Sequence, residues 1–292
     1  MTTATSLSPS IAPHDLTLGA VTLVSADPER LVPFYRDAVG LEPMSSGETI
    51  VLGAGGRALV EIRRDADAPR PPRRAPGLFH MAIRVPDRPS LAARLLALHR
   101  LGQKDARIRL GASDHLVSEA LYVDDPDGNG IEIYRDRPAA EWPRTPDGAI
   151  AMATLPLDLA ALAREAPANP QLAPAGTDMG HVHLKVSDLE AARRFWVETM
   201  GFAIMARYPG ALFVSADGYH HHIGLNVWQS EGAAAPRAGS QGLGSFTILL
   251  PQDAIDALKG RLAAAGVAFE TPEGGGLKVA DPSGNVAIIR AG

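Results

Sequence analysis

Residues 23–40 read LVSADPERLVPFYRDAVG and residues 184–201 read LKVSDLEAARRFWVETMG, two stretches 161 residues apart that follow one pattern. In each, a run with strand character ends at an Asp that can cap a helix, Asp27 or Asp188. Apolar residues then recur at helical spacing until a Gly stops the segment. Phe34 with Tyr35, and Phe195 with Trp196, repeat at equivalent helix positions and read as structural. Short alternating runs follow each opening: 49–52 with 58–62 in the first copy, 211–215 with 222–227 in the second. The unit is therefore βαβββ, and it occurs at least twice.

Working outward, residues 78–85 lead to a helix expected over 90–101, and residues 244–250 to one expected over 254–265. Both end alike. Asp125-Pro-Asp-Gly-Asn and Asp281-Pro-Ser-Gly-Asn are turn sequences feeding a final strand. Four units thus predict an α+β chain of two domains, 15–137 and 178–292, after a flexible N-terminus over 1–14. The intervening 138–177, rich in Pro and Ala, reads as a connector with one short helix near 157–164.

The composition narrows the function. A chain of 292 residues, 46% hydrophobic, supports two cores, and a net charge of -5 with scattered Lys and Arg argues against a nucleic-acid partner. The absence of cysteine rules out a disulfide framework and thiolate ligands and suits a reducing cytoplasm, so any metal must use His and carboxylates. No apolar run approaches the ~20 residues of a membrane span, and the N-terminus lacks the pattern of a signal peptide. The glycines at 274–276 lack the context of a phosphate loop.

The four βαβββ units with D-P-D-G-N at the last turn resemble the vicinal oxygen chelate superfamily, which includes glyoxalases, antibiotic-resistance proteins and extradiol dioxygenases. The stretches GLFHMAIRV, DHLVSEALYVDDPDGNGIEIY, GHVHLKVSD and GYHHHIGLNVW are similar to those of two-domain bacterial catechol 2,3-dioxygenases. The resemblance implies units paired into incomplete barrels around one metal. Fe(II) is the expected ion, with Mn(II) or Zn(II) as alternatives. Its ligands would be two His and one carboxylate on one face: His80 and His181 on first strands, Glu132 on a last strand.

The internal copies offer a control. Ala20 stands where His181 stands, Ile288 where Glu132 stands, and Ser245 or Phe246 where His80 stands, so only units two and three carry a complete set and are expected to face each other. Ring opening also requires an acid-base group. Of His220-His221-His222, strand alternation separates His221 from the other two, and the 161-residue spacing matches His222 to Glu61, which favours His222 as that group. The resemblance further implies that Tyr122 and His115 bond the substrate oxygens, whereas His183 reads as packing. The expected substrates are a catechol-type diol and O2, the product a ring-opened hydroxymuconic semialdehyde, and the degenerate units scaffold or a homo-oligomer interface. A glyoxalase-like isomerase or lyase, with His222 as a fourth ligand, and a non-catalytic binding protein are the competing readings of the same fold.

Overall fold

A computed structural model of the chain describes residues 12, 15–146, 148–168 and 172–292. The N-terminus expected over 1–14 lies, apart from Ala12, outside the described residues. Among the described residues, no helix is long and apolar enough to cross a membrane.

Among the described residues, the strands come in four groups of four. Unit one holds β1 (Thr17–Ser25), β2 (Glu42–Ser45), β3 (Thr49–Ala54) and β4 (Arg57–Arg64); unit two holds β5 (Gly77–Arg84), β6 (Gly111–Asp114), β7 (Ser118–Asp124) and β8 (Gly130–Asp136). Unit three holds β9 (Asp178–Lys185), β10 (Ala203–Tyr208), β11 (Ala211–Ser215) and β12 (Ile223–Asn226); unit four holds β13 (Gly242–Leu250), β14 (Phe269–Glu270), β15 (Leu277–Ala280) and β16 (Val286–Ala291). Each first strand is followed by a helical segment: α1 (Leu31–Phe34) and α2 (Arg88–Lys104) in the first half, and, beyond α3 (Leu159–Ala163) of the connector, α4 (Leu189–Arg193) and α5 (Gln252–Ala264) in the second.

The repeat reproduces local detail. Both α1 and α4 widen into a π turn, over Tyr35–Val39 and Arg194–Thr199, carrying the fully buried Tyr35 and Trp196. The stops are Gly40 and Gly201, whose positive φ angles of 88° and 94° are readily adopted by a residue without Cβ. Asp188 caps α4 by accepting from the N–H groups of Glu190 and Ala191. Asp27 makes no cap bond, because Pro28 opens its segment as a 3-10 turn.

The sheets regroup the units. One array runs β2-β3-β4-β1-β13-β16-β15-β14 and the other β10-β11-β12-β9-β5-β8-β7-β6, so units one and four form one and units two and three the other. Each array therefore takes one unit from each half of the sequence, and a single β1–β9 pairing, Leu18 with Met179, links them. The D-P-x-G-N turns fasten the helical segments. Asp125 accepts from the N–H of Asp127 and Asn129, from Asn129 Nδ2 and from the Tyr35 hydroxyl, joining unit two to unit one. Asp281 repeats the loop with Ser283 and Asn285.

Candidate metal centre

Strand register builds the site. Antiparallel pairing of β5 with β9 sets His80 beside His183 and Ala82 beside His181. Parallel pairing of β5 with β8 sets Ala82 beside Glu132, and β7 against β8 sets Tyr122 beside Glu132. Side-by-side partners point to one face of a sheet. His80, Glu132, His181, His183 and Tyr122 therefore converge on the concave side, over the small, fully buried Ala82.

The convergence is tight. One ligand-type atom each from His80, Glu132 and His181 lies within 4.8 Å of the others. Glu132 Oε2 is 3.1 Å from both His80 Nε2 and His181 Nε2, and His80 Nε2 is buried without a hydrogen-bond partner. Burial pushes the His181 imidazole down to about 4, even with Glu132 beside it. The Glu132 carboxyl, although burial opposes it, is held well below the usual carboxylate range by His181 and His80. Neutral imidazole and ionised carboxylate are the protonation states that ligate a divalent cation. A buried polar atom without a partner beside two further donors is what such an ion would satisfy, so the residues fit a metal bound by two His and one carboxylate.

The same control carries over to the other array. There Thr22 pairs with Ser245, as His183 does with His80, and Thr247 with Ile288, as Ala82 does with Glu132. Register thus selects Ser245, not Phe246, as the counterpart of His80. With Ala20 at the His181 position, none of the three ligand positions of that array carries a ligand side chain.

The ligand face opens on a cavity of about 650 Å³, walled on the apolar side by Val117, Ile150, Met152, Met205 and Phe213. The connector supplies part of that wall, from Ala149 to Thr154. His115 Nδ1 donates to the carbonyl of Ala153 at 2.7 Å, and in the neutral ring Nε2 then accepts from the Tyr122 hydroxyl, also at 2.7 Å. Burial and the nearby Glu132 charge keep the Tyr122 phenol well above its ordinary value, hence protonated. The structure thus brings His115 and Tyr122 to the cavity expected of them.

His222 stands elsewhere. Val21 pairs with Val60 and its counterpart Val182 with Ile223, so the second copy is two residues longer before its last strand, and Glu61 corresponds to Gly224. Residues 220–222 lie in a bend ahead of β12, where strand alternation does not apply. The His222 ring turns away from the cavity to Ser215 Oγ at 2.9 Å and accepts from the Ala216 N–H, lining a second recess with Tyr219 and Arg84. Burial drives it down to about 3.

His220 and His221 line the metal cavity instead, with the His221 ring centroid 4.1 Å from that of His181. His183, expected as packing, also faces the cavity. The backbone N–H of Trp228 donates to Asn226 Oδ1, which leaves Asn226 Nδ2 to donate to His183 Nε2 at 3.0 Å, and the ring packs edge-on against His80. Gly224 makes room for it: a Cβ there would lie 2.8 Å from the ring. Only the same-face spacing of His181 and His183 signalled this in the sequence.

The Glyoxalase/Bleomycin resistance protein/Dioxygenase superfamily profile matches residues 17–133 and 178–289, and the chain belongs to that superfamily. It is 38% identical over 276 residues to a catechol-2,3-dioxygenase of Bacillus subtilis strain 168, covering 92% of this chain and 95% of that one. Among solved structures, a putative dioxygenase of the same bacterium superposes with a TM-score of 0.64 at 13% identity, over 96% of this chain and 85% of that one. Glyoxalase I of Zea mays superposes with a TM-score of 0.55 at 15% identity, over 95% and 94%.

Proposed function

We propose that the chain is an Fe(II)-dependent extradiol dioxygenase that opens the ring of a catechol-type diol with O2. The observation that carries the reading is the set of His80, Glu132 and His181 donors, complete on one face of one array and absent from the other, at the wall of an apolar cavity. Two His and one carboxylate on a face with open positions is the donor set of non-haem Fe(II) oxygenases. The 38% identity to a catechol dioxygenase supports the same choice.

Iron held by these residues would supply the electron transfer between diol and O2. The protein supplies the rest. The Tyr122 oxygen, with its own proton committed to His115, is free to accept from a ring hydroxyl. His221, in contact with His181 and at the cavity wall, is placed to take a proton from the diol and return it during ring opening, the role that sequence spacing gave to His222. The apolar wall restricts water and packs against the ring. The product is a ring-opened hydroxymuconic semialdehyde holding both oxygen atoms.

The test is anaerobic loading with Fe(II), metal quantification, and oxygen uptake with catechol while the yellow product is followed. One iron per chain with coupled uptake and colour, lost in His80→Ala and Glu132→Ala, is expected. Bound metal with no uptake across catechols and hydroquinones would move the assignment to isomerase or lyase chemistry.

A further inference from the structure

We propose that Asp136 is a positioning residue: acting through His220, it fixes the tautomer of His221, a residue of the cavity wall, so that His221 Nε2 is a lone pair. A network of six side chains runs back from the cavity wall, where His220 and His221 stand. His221 Nδ1 and His220 Nδ1 are 2.9 Å apart, and His220 Nε2 is 2.9 Å from Asp136 Oδ1. Asp136 Oδ2 accepts from Arg84 Nη1 at 3.0 Å and from the Tyr219 hydroxyl at 2.9 Å. With its proton so committed, Tyr219 accepts from the hydroxyl of Tyr134 at 2.7 Å.

The order of donors follows from these contacts. With a guanidinium and a hydroxyl already donating to its Oδ2, the Asp136 carboxylate is ionised and can only accept, so His220 Nε2, at Oδ1, carries a hydrogen. The Nδ1 of a neutral His220 is then a lone pair, and the short Nδ1 to Nδ1 contact requires His221 Nδ1 to donate into it. That leaves His221 Nε2 without a hydrogen. When Nε2 takes a proton from the diol, the Nδ1 hydrogen of His221 can cross to His220 Nδ1, leaving a His220 imidazolium against the Asp136 carboxylate, and the return step reverses both moves. His221 and Asp136 do not touch in the sequence or belong to one half of it: Asp136 ends β8, whereas both histidines lie in the bend before β12.

The catalytic consequence rests on the dioxygenase reading, whereas the tautomer does not. The test is a long-range 1H–15N correlation on metal-free protein labelled with 15N-histidine at pH 7, with His220→Gln and His221→Gln used to assign the rings. The expected result is His221 as the Nδ1–H tautomer and His220 as the Nε2–H tautomer, with that order lost in Asp136→Asn. A His221 that carries its hydrogen on Nε2, or one whose tautomer is unchanged in Asp136→Asn, overturns the proposal. In the iron-loaded protein, Asp136→Asn is expected to lower kcat on the order of 10²-fold or more with KM changed less than about threefold, as loss of a tautomer-fixing carboxylate does elsewhere. Asp136→Glu is expected to restore part of it. A rise in KM with kcat intact would overturn the catalytic half. A protein with the expected tautomers but no activity on any diol would strike the dioxygenase reading alone.

Discussion

Glu119→Gln tests how the strands carrying Tyr122 and Glu132 are held. Glu119, on β7, is 4% exposed and meets three guanidinium groups: Arg88 at the start of α2 (2.8 Å), Arg135 on β8 (2.7 Å) and Arg137 (3.5 Å). Removing its charge does not strand all three. Arg88 keeps Glu165 and Arg137 keeps Asp114, whereas Arg135, 14% exposed, keeps only the carbonyl of Asp136. The cost should therefore lie between the ~1 kcal/mol of an exposed pair and the ~3–5 kcal/mol of breaking a fully buried one, or roughly 2–3 kcal/mol. At about 2–4 °C per kcal/mol for a chain of this size, the melting midpoint should fall on the order of 5–10 °C.

The pH dependence gives the sign. Burial pushes the Glu119 carboxyl up, but Arg88 and Arg135 outweigh it and hold the group below its ordinary value. A depressed carboxyl stabilises the fold above the unfolded value of about 4.3 and loses that contribution as pH falls through the lower folded value. Denaturant unfolding of both proteins between pH 7 and pH 3.5 should therefore show a constant gap at the upper end that narrows below about pH 4.3. A gap of the same size throughout would mean lost packing rather than lost charge and would refute the reasoning.

Three further outcomes follow from the site. Gly224→Ala should push the His183 ring off Asn226, costing about 1–3 kcal/mol by overpacking and weakening iron binding through the displaced His80; melting and metal titration read both. Ala82→Leu fills the floor over which the ligands meet and should abolish stoichiometric metal binding while the circular dichroism spectrum persists. Divalent iron at a hundred times its dissociation constant should raise wild-type stability by about 2.7 kcal/mol, measured anaerobically by thermal unfolding, and should give no rise in His80→Ala.

The repeat made most of the fold readable. Asp188, Gly40, Gly201 and the D-P-x-G-N turns are local signals whose physics acts within a few residues, and each stands where the pattern placed it, save that Pro28 displaces the cap at Asp27. The convergence of His80, Glu132 and His181 was legible because the degenerate copies hold Ser245, Ile288 and Ala20 in their place. What escaped depended on length and on distance along the chain. Two extra residues ahead of β12 turn His222 out of the cavity and let His221 in, and no local pattern marks such an insertion. The cavity wall from Ala149 to Thr154 has the composition of a plain connector, and its place over the site is set by tertiary contacts such as His115 to Ala153. The partnership of Asp136 with His220 spans 84 residues and left no trace in spacing.

The most direct measurement of the central claim is a turnover of the iron-loaded protein with catechol under 18O2, followed by mass analysis of the ring-opened product quenched before its aldehyde exchanges with water. The account predicts two labelled oxygen atoms per product and none taken from solvent. A product formed without label, or a metal-loaded protein that transforms its substrate equally well under argon, would contradict it.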